Sequence, residues 1–358
     1  MTEAVVAAAA ALVAAIFSVS LARRYVARGR VSRALVSWSL ALAMFAVASA
    51  ALAVGAGAGW TSGWFRVFYL FGAVLTVPWL ALGTVHTASR DPVALRVLGV
   101  TALVVALLLA VPASTADDAA RFLPGIVLAV LWGAILVPGR GEAADAASVL
   151  LVVTLSVAAT FAVLGAALSG PLPTDRLPEG SELLAPVIRG LAIGANALGA
   201  TLVVVGGVAS AIRLRGRQQP HLVVGNILIA IGVLVAASGG AFAFVGETAS
   251  HAVAFAVGVA IMYAGFVRTT RPAEARPPPL VQVFTREDCG LCEQAERLAR
   301  EESGAAEVRL VDVDRDPALM ERYGDRVPVV VVEGREAAAG RVEPGRIRSA
   351  VRDAQRGR

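Results

Sequence analysis

The segment TREDCGLCEQAERL, residues 285–298, holds Cys289 and Cys292, the only two cysteines in 358 residues. Two thiols three residues apart suit one kind of chemistry. A thiolate attacks a disulfide sulfur, and a second thiol then resolves the mixed disulfide. At a helix start the first sulfur sits at the cap, where free N–H groups and the helix dipole favour S⁻. The second lies one turn on, close enough to attack the first. Cys289 therefore reads as the nucleophile and Cys292 as the resolving thiol. Two other readings stay open. The pair could be half of a zinc site, but no other Cys or His lies in residues 280–358, so only a dimer sharing four thiols would complete it. The pair could also be two inert buried cysteines. The reading expects no metal and no cofactor.

The elements that must position this pair follow from pattern. LVQVFT (280–285) is a short, β-branched apolar run and predicts a strand. From the cysteines onward, Leu291, Ala295, Leu298 and Ala299 mark one helical face. EVRLVDVD (307–314) alternates as a second strand. Asp316 as N-cap, Pro317 at the first helical position and Gly324 as stop predict a short helix. RVPVVVVEG (326–334) is a third strand, REAAAGRV a fourth across a turn at Glu333-Gly334, and EPGRIRSAVRDAQ a closing helix. The predicted order is β-α-β-α-β-β-α.

That order, with CxxC at a helix start and a Val-Pro strand before a hairpin, resembles the thioredoxin fold. More narrowly it is similar to the glutaredoxin-like family of small bacterial proteins. FTREDCGLC, VDVDRDP, RYG and RVPVVVVEG carry the resemblance, over residues 280–355. The resemblance implies thiol–disulfide exchange. It implies that Pro328 is the family's cis-proline beside the CxxC, offering backbone to an extended substrate. The expected substrate-binding surface is then Arg286, Gly290, Leu291, Val327 and Pro328. Glutaredoxins commonly place Pro-Tyr between the cysteines, a lysine shortly before them and a Gly-Gly-Asp stretch later. Here Gly-Leu, Arg286 and REAAAGRVEP stand instead. Glutathione is therefore disfavoured, and a disulfide-bearing protein or small thiol is the expected partner. Glu287, Asp288 and Glu293 oppose thiolate formation, while Arg286 and the helix terminus favour it.

The rest of the chain is of another kind. Hydrophobic residues make up 57% and charged residues 16%, against roughly a quarter charged in soluble proteins. Apolar segments long enough to cross about 30 Å of hydrocarbon recur near 3–21, 34–56, 66–86, 94–112, 122–138, 147–168, 187–211, 222–246 and 251–268. The first is read as a retained helix, because its n-region carries no basic residue. Every basic residue in the chain is arginine, and the net charge is +5. The arginines cluster in alternate loops, LARRYVARGRVSR, SRDPVALR, GRG, RLRGRQQPH and RTTRPAEAR, while TADDAAR, PLPTDRLPEGSE and GETAS intervene. This placement predicts a bilayer rather than nucleic acid as the partner of the basic charge. It sets the N-terminus outside and the C-terminus in the cytoplasm of an inner-membrane, multi-pass chain.

The expected architecture is thus an all-α polytopic bundle of about nine transmembrane helices (1–268), a Pro-rich connector (269–279) and a C-terminal α/β thioredoxin-like domain (280–358). Within the spans Arg66 and Arg189 fall at outer ends and His86 at an inner end, with no intramembrane charge expected. Asn196 and Asn226 are expected to bond between helices, and the Gly/Ala stretches to pack them closely. Trp64 and Tyr69 are expected as interfacial anchors, and Pro78 as a kink. The expected function is a membrane-anchored thiol–disulfide oxidoreductase. The alternative is a redox-sensing domain that regulates a membrane transporter or signalling element. A transmembrane electron relay is excluded by the lack of membrane cysteines and of paired helix histidines.

Overall fold

The structure is a computed structural model that describes residues 2–27, 32–112, 116–173, 177–215, 220–243, 248–270 and 278–357. Most of the expected connector, residues 271–277, lies outside them. The chain divides into two compact units, Met1–Arg271 and Pro272–Arg358.

The first unit is helical. Its long helices are α1 (Thr2–Ala27), α2 (Arg33–Ala58), α3 (Ser62–Ala88), α4 (Pro92–Ala110), α5 (Ala116–Leu136), α6 (Gly141–Gly165), α7 (Pro186–Arg215), α8 (Pro220–Ala243) and α9 (Thr248–Thr270). Among the described residues, stretches of α1–α4 and α6–α8 are long and apolar enough to cross a membrane. Arg121–Leu136 and Val253–Thr269, within α5 and α9, are apolar but shorter. Helix starts follow local chemistry. The Asp91 carboxylate accepts from the N–H groups of Val93 (2.9 Å) and Ala94 (3.1 Å), with Pro92 opening α4. These bonds, Ala94 foremost, hold the Asp91 carboxyl below the usual carboxylate range.

Fully buried Trp132, Leu95, Leu98, Leu198 and Leu202 form the centre of the main apolar core. Small residues let the helices approach. A Cβ on Gly125 of α5 would stand 2.6 Å from the Gly194 Cα of α7, and one on Gly190 would fall on the Arg121 carbonyl. The expected polar contacts form: Asn196 Nδ2 donates to the Ala73 carbonyl (2.6 Å), and Asn226 Nδ2 to Ser210 Oγ (3.2 Å). Pro78 acts differently from a simple kink. Tyr69–Leu75 winds as a π-helix inside α3. In that i→i−5 pattern the N–H that Pro78 lacks would have gone to Ala73, and Asn196 supplies the bond instead.

Two expectations are corrected. Tyr69 is buried against Phe65 and a second apolar cluster rather than anchored at an interface, whereas Trp64 is exposed. The sixth apolar helix begins at Gly141, not near 147, and so carries Asp145 into the bundle. That carboxylate is buried, against the expectation of spans free of charge. The pull that moves the boundary is local: Ala143, Ala144, Ala146 and Ala147 extend the helix N-terminally from the apolar run.

The second unit contains β1 (Leu280–Thr285), α10 (Gly290–Glu302), β2 (Glu307–Asp312), α11 (Pro317–Tyr323), β3 (Val329–Val332), β4 (Arg335–Ala339) and α12 (Arg346–Gly357). The four strands order as β2-β1-β3-β4, with β1 parallel to β2 and antiparallel to β3. The hairpin turn falls at Glu333-Gly334, both at positive φ (51° and 77°), as a two-residue primed turn needs. Val281, Val283, Ala295, Ala299, Val330 and Ile347 pack α10 and α12 against the sheet. Two details differ from expectation. β2 stops at Asp312, and Val313–Arg315 makes a 3₁₀ turn in which the Asp312 side chain accepts from the Asp314 N–H (3.1 Å). Gly324 does not stop α11 in a left-handed conformation; at φ −53° it leads into another 3₁₀ turn.

Glu302, at the end of α10, is buried and caps α12. Its Oε1 accepts from the Gly345 N–H (2.5 Å) and Oε2 from the Arg348 N–H (3.3 Å). Glu302→Ala should cost about 1–2 kcal/mol. The measurable result is amide exchange in α12 accelerated roughly tenfold, with β1 and β3 unchanged.

Candidate functional site

β1 delivers the chain to the site, and α10 begins there. Cys289 is the N-cap of α10, with φ −112° and ψ 97°. Its Sγ accepts from the Cys292 N–H (3.3 Å) and its carbonyl from the N–H groups of Cys292 (2.9 Å) and Glu293 (3.1 Å). The two sulfurs are joined as a disulfide. Their exposures differ. Cys289 is partly exposed, while Cys292 is 1% exposed and packs into the domain. Only the first sulfur is open to a second molecule. Gly290 and Leu291 lie between them on the surface; Leu291 is 43% exposed and a Cβ on Gly290 would meet open space.

Asp288, immediately before the cap, has φ 58°. Asp tolerates this left-handed region better than most residues, but glycine adopts it freely. Asp288→Gly should leave stability unchanged or raise it by about 0.5 kcal/mol, and Asp288→Val should lower it by about 1–2 kcal/mol. Denaturant midpoints of the two variants provide the comparison.

The Val327–Pro328 bond is cis, as the sequence resemblance implies. Phe284 pairs with Val329 across antiparallel β1 and β3, so Pro328 lies beside the end of β1 from which the CxxC loop leaves. Pro328 is buried, Val327 partly so, and the Pro328 carbonyl accepts from the Gly340 N–H (2.8 Å). Beneath them Phe284 stacks on Tyr323 with ring centroids 4.3 Å apart. The fold thus gathers Cys289, Gly290, Leu291, Val327 and Pro328 at one end of the sheet.

Arg286 departs from expectation. Its Nε donates to both Asp314 carboxylate oxygens (2.9 and 3.1 Å), and a terminal guanidinium nitrogen lies 2.8 Å from Met320 Sδ. Its charge is committed to Asp314, on the 3₁₀ turn after β2, rather than to the sulfurs. The pair is not visible in the sequence, where the alternation of EVRLVDVD carries Asp314 into the second strand.

The family model described as Glutaredoxin-like domain (DUF836) matches residues 280–352. The C-terminal region belongs to the glutaredoxin-like domain family. Among its relatives are the uncharacterized proteins Rv0508 of Mycobacterium tuberculosis and Mb0520 of Mycobacterium bovis. Each is 36% identical over 78 residues, which cover 20% of this chain and 80% of the relative. No solved structure matches the chain significantly. The glutaredoxin-like domain accounts for the strand-CxxC-helix arrangement and implies a thiol-redox role; it leaves the helical unit unexplained.

Sequence reading also missed a cluster in the helical unit. Asp145 of α6 takes Arg33 of α2 through Oδ2 (2.5 Å) and pairs with His86 of α3 through Oδ1. An acid one turn into an apolar helix, in EAADAASVLL, was the available signal.

Proposed function

We propose that this chain is a membrane-anchored thiol–disulfide oxidoreductase whose glutaredoxin-like domain, residues 280–358, faces the cytoplasm. The arginine-rich loops that alternate along the first unit support that orientation. One observation carries the chemical reading: a partly exposed Cys289 at a helix cap, bonded to a buried Cys292 one turn on.

In the reduced protein the Cys289 thiolate attacks a substrate disulfide. A bond forms from Cys289 Sγ to one substrate sulfur, and the other leaves as a thiolate that takes a proton from water. Cys292, deprotonated, then attacks Cys289 Sγ. The substrate's remaining sulfur leaves as a thiolate that takes a proton from water, and the Cys289–Cys292 disulfide closes. Two electrons pass from the dithiol to the substrate, and an external thiol reductant restores the pair. The α10 N–H groups, which already bond the Cys289 sulfur and carbonyl, are placed to hold the sulfur anion between steps. Exposed Leu291 and the Val327–Pro328 backbone offer an apolar, extended contact to a disulfide-bearing protein or small thiol. Incubating the full chain with a mixed-disulfide substrate and a thiol reductant tests this. Steady turnover supports the proposal; a redox-active disulfide that fails to turn over sinks it.

That second outcome belongs to the other reading, in which the disulfide state biases membrane helices that act in transport or signalling. The buried Asp145–His86 pair, joined by exposed Arg33, favours it, because ionisable groups inside a helical membrane unit commonly mark function.

A further inference from the structure

Arg33, His86 and Asp145 come from three helices and meet at one carboxylate. The His86 and Asp145 side chains are 4% and 6% exposed, and Arg33 is 65% exposed. The cluster is therefore a polar thread from the surface to a buried imidazole. An ionised Asp145 can only accept hydrogen bonds, so the His86 nitrogen that faces it, Nδ1, carries the N–H. The free lone pair is then on Nε2.

Histidine is the side chain whose charge changes near neutral pH. A hydrated proton that reaches Nε2 forms an N–H bond there, and water is released; no other bond breaks. Asp145 then faces two cations with one charge. Of the two, Arg33 is the one with solvent to move into, since His86 is enclosed. The other charged groups on the helices around His86 are placed differently. Arg140 at the N-cap of α6 and Glu142 on its first turn are exposed, and so is Arg90 beyond α3. Arg213 of α7 is paired with Asp91 at the head of α4, and Arg96 of α4 lies beside Gly139.

We propose that Arg33–Asp145–His86 is a proton-binding site of the helical unit, in which protonation of His86 at Nε2 lets it take over Asp145 and release Arg33. The ligand is a proton. The consequence is mechanical: the first turn of α2 loses its tie to α6. α6 itself stays anchored, because Trp132 Nε1 donates to Ser148 Oγ (3.1 Å) one turn beyond Asp145.

The test uses the full chain in lipid nanodiscs, labelled with ¹⁵N-histidine. Only three histidines are present, and His86→Gln identifies the His86 signals by their loss. In wild type the ring should hold its proton on Nδ1 at high pH and gain a second on Nε2 as pH falls. Arg33→Gln, a change at an exposed side chain, removes the competing cation. It should therefore move the pH midpoint of the His86 ring signals. Amide exchange at residues 33–37, corrected for intrinsic rates, should quicken below the wild-type midpoint and lose that dependence in His86→Gln. A ring that keeps one protonation state between about pH 4 and 9 overturns the proposal. So does a midpoint that Arg33→Gln leaves unmoved, or an exchange profile identical in wild type and His86→Gln. None of these readouts involves the cysteines, so the result stands apart from the thiol chemistry.

Discussion

Cys289→Ser should lower disulfide-reductase turnover at least about a thousandfold, to the background of the free reductant, because a hydroxyl at the cap cannot form the mixed disulfide. Cys292→Ser should behave differently. The first attack still occurs at the partly exposed Cys289, but nothing inside the domain resolves the adduct. The expected product is a stable mixed disulfide on Cys289, seen as a mass shift that a reducing agent removes. The burial difference makes the asymmetry: Cys292 at 1% exposure cannot replace Cys289 as the attacking group without opening the helix start. Equal turnover in both variants, or trapping on Cys292, would show that the roles are reversed. The trapped species also names the physiological substrate, since the adduct can be isolated with its partner attached.

Gly194→Leu should have a comparable effect on the helical unit. Gly125 and Gly194 bring α5 and α7 together at backbone distance; a Cβ on either would press into the other's Cα. A flexible neighbour could move aside, but a main chain within a helix cannot. The two helices must separate along that crossing and lose the packing that membrane helices depend on for association. The expected cost is about 3 kcal/mol or more, in the range of severe overpacking. Gly165→Leu is the control, because a Cβ there meets nothing within 4 Å. Thermal unfolding in detergent, followed by intrinsic tryptophan fluorescence, separates the two. An unchanged midpoint in Gly194→Leu would mean that the crossing is looser than the geometry states.

The two units were legible in the sequence to different depths, for physical reasons. In the glutaredoxin-like domain each element is punctuated: Cys289 caps, Asp316-Pro317 starts a helix, and Glu333-Gly334 turns a hairpin. The errors there lie where tertiary contact overrides pattern. Val313 alternates correctly for a strand, yet it is the buried first residue of a 3₁₀ turn that Asp312 caps. Arg286 looked free for the site because its partner is 28 residues away. In the helical unit, composition locates helices but carries little phase information, since lipid-facing and bundle-facing residues are equally apolar. Polar contacts between spans are therefore invisible until helices are paired. Asn196 and Asn226 were recognisable as bonding residues because they stand inside apolar runs, but their partners were not. The apolar run alone starts this helix six residues late, near 147 rather than 141, and puts a buried carboxylate in a loop.

The wide turn at Tyr69–Leu75 bears on how lineages of this chain can change length. An α-helix turns its face by about 100° per residue, and a π turn holds one residue more than an α turn. The segment therefore absorbs a single extra residue between the first half of α3, with Phe65, and the second half, with His86. Losing one residue inside the wide turn would tighten it to an ordinary α-helix and leave both halves facing as they do. Losing one between Pro78 and Val85 would instead swing His86 by about a quarter of a circle away from Asp145. Length variation in this helix is thus permitted at one place and forbidden a turn later, and the Asn196 bond to Ala73 marks the permitted place.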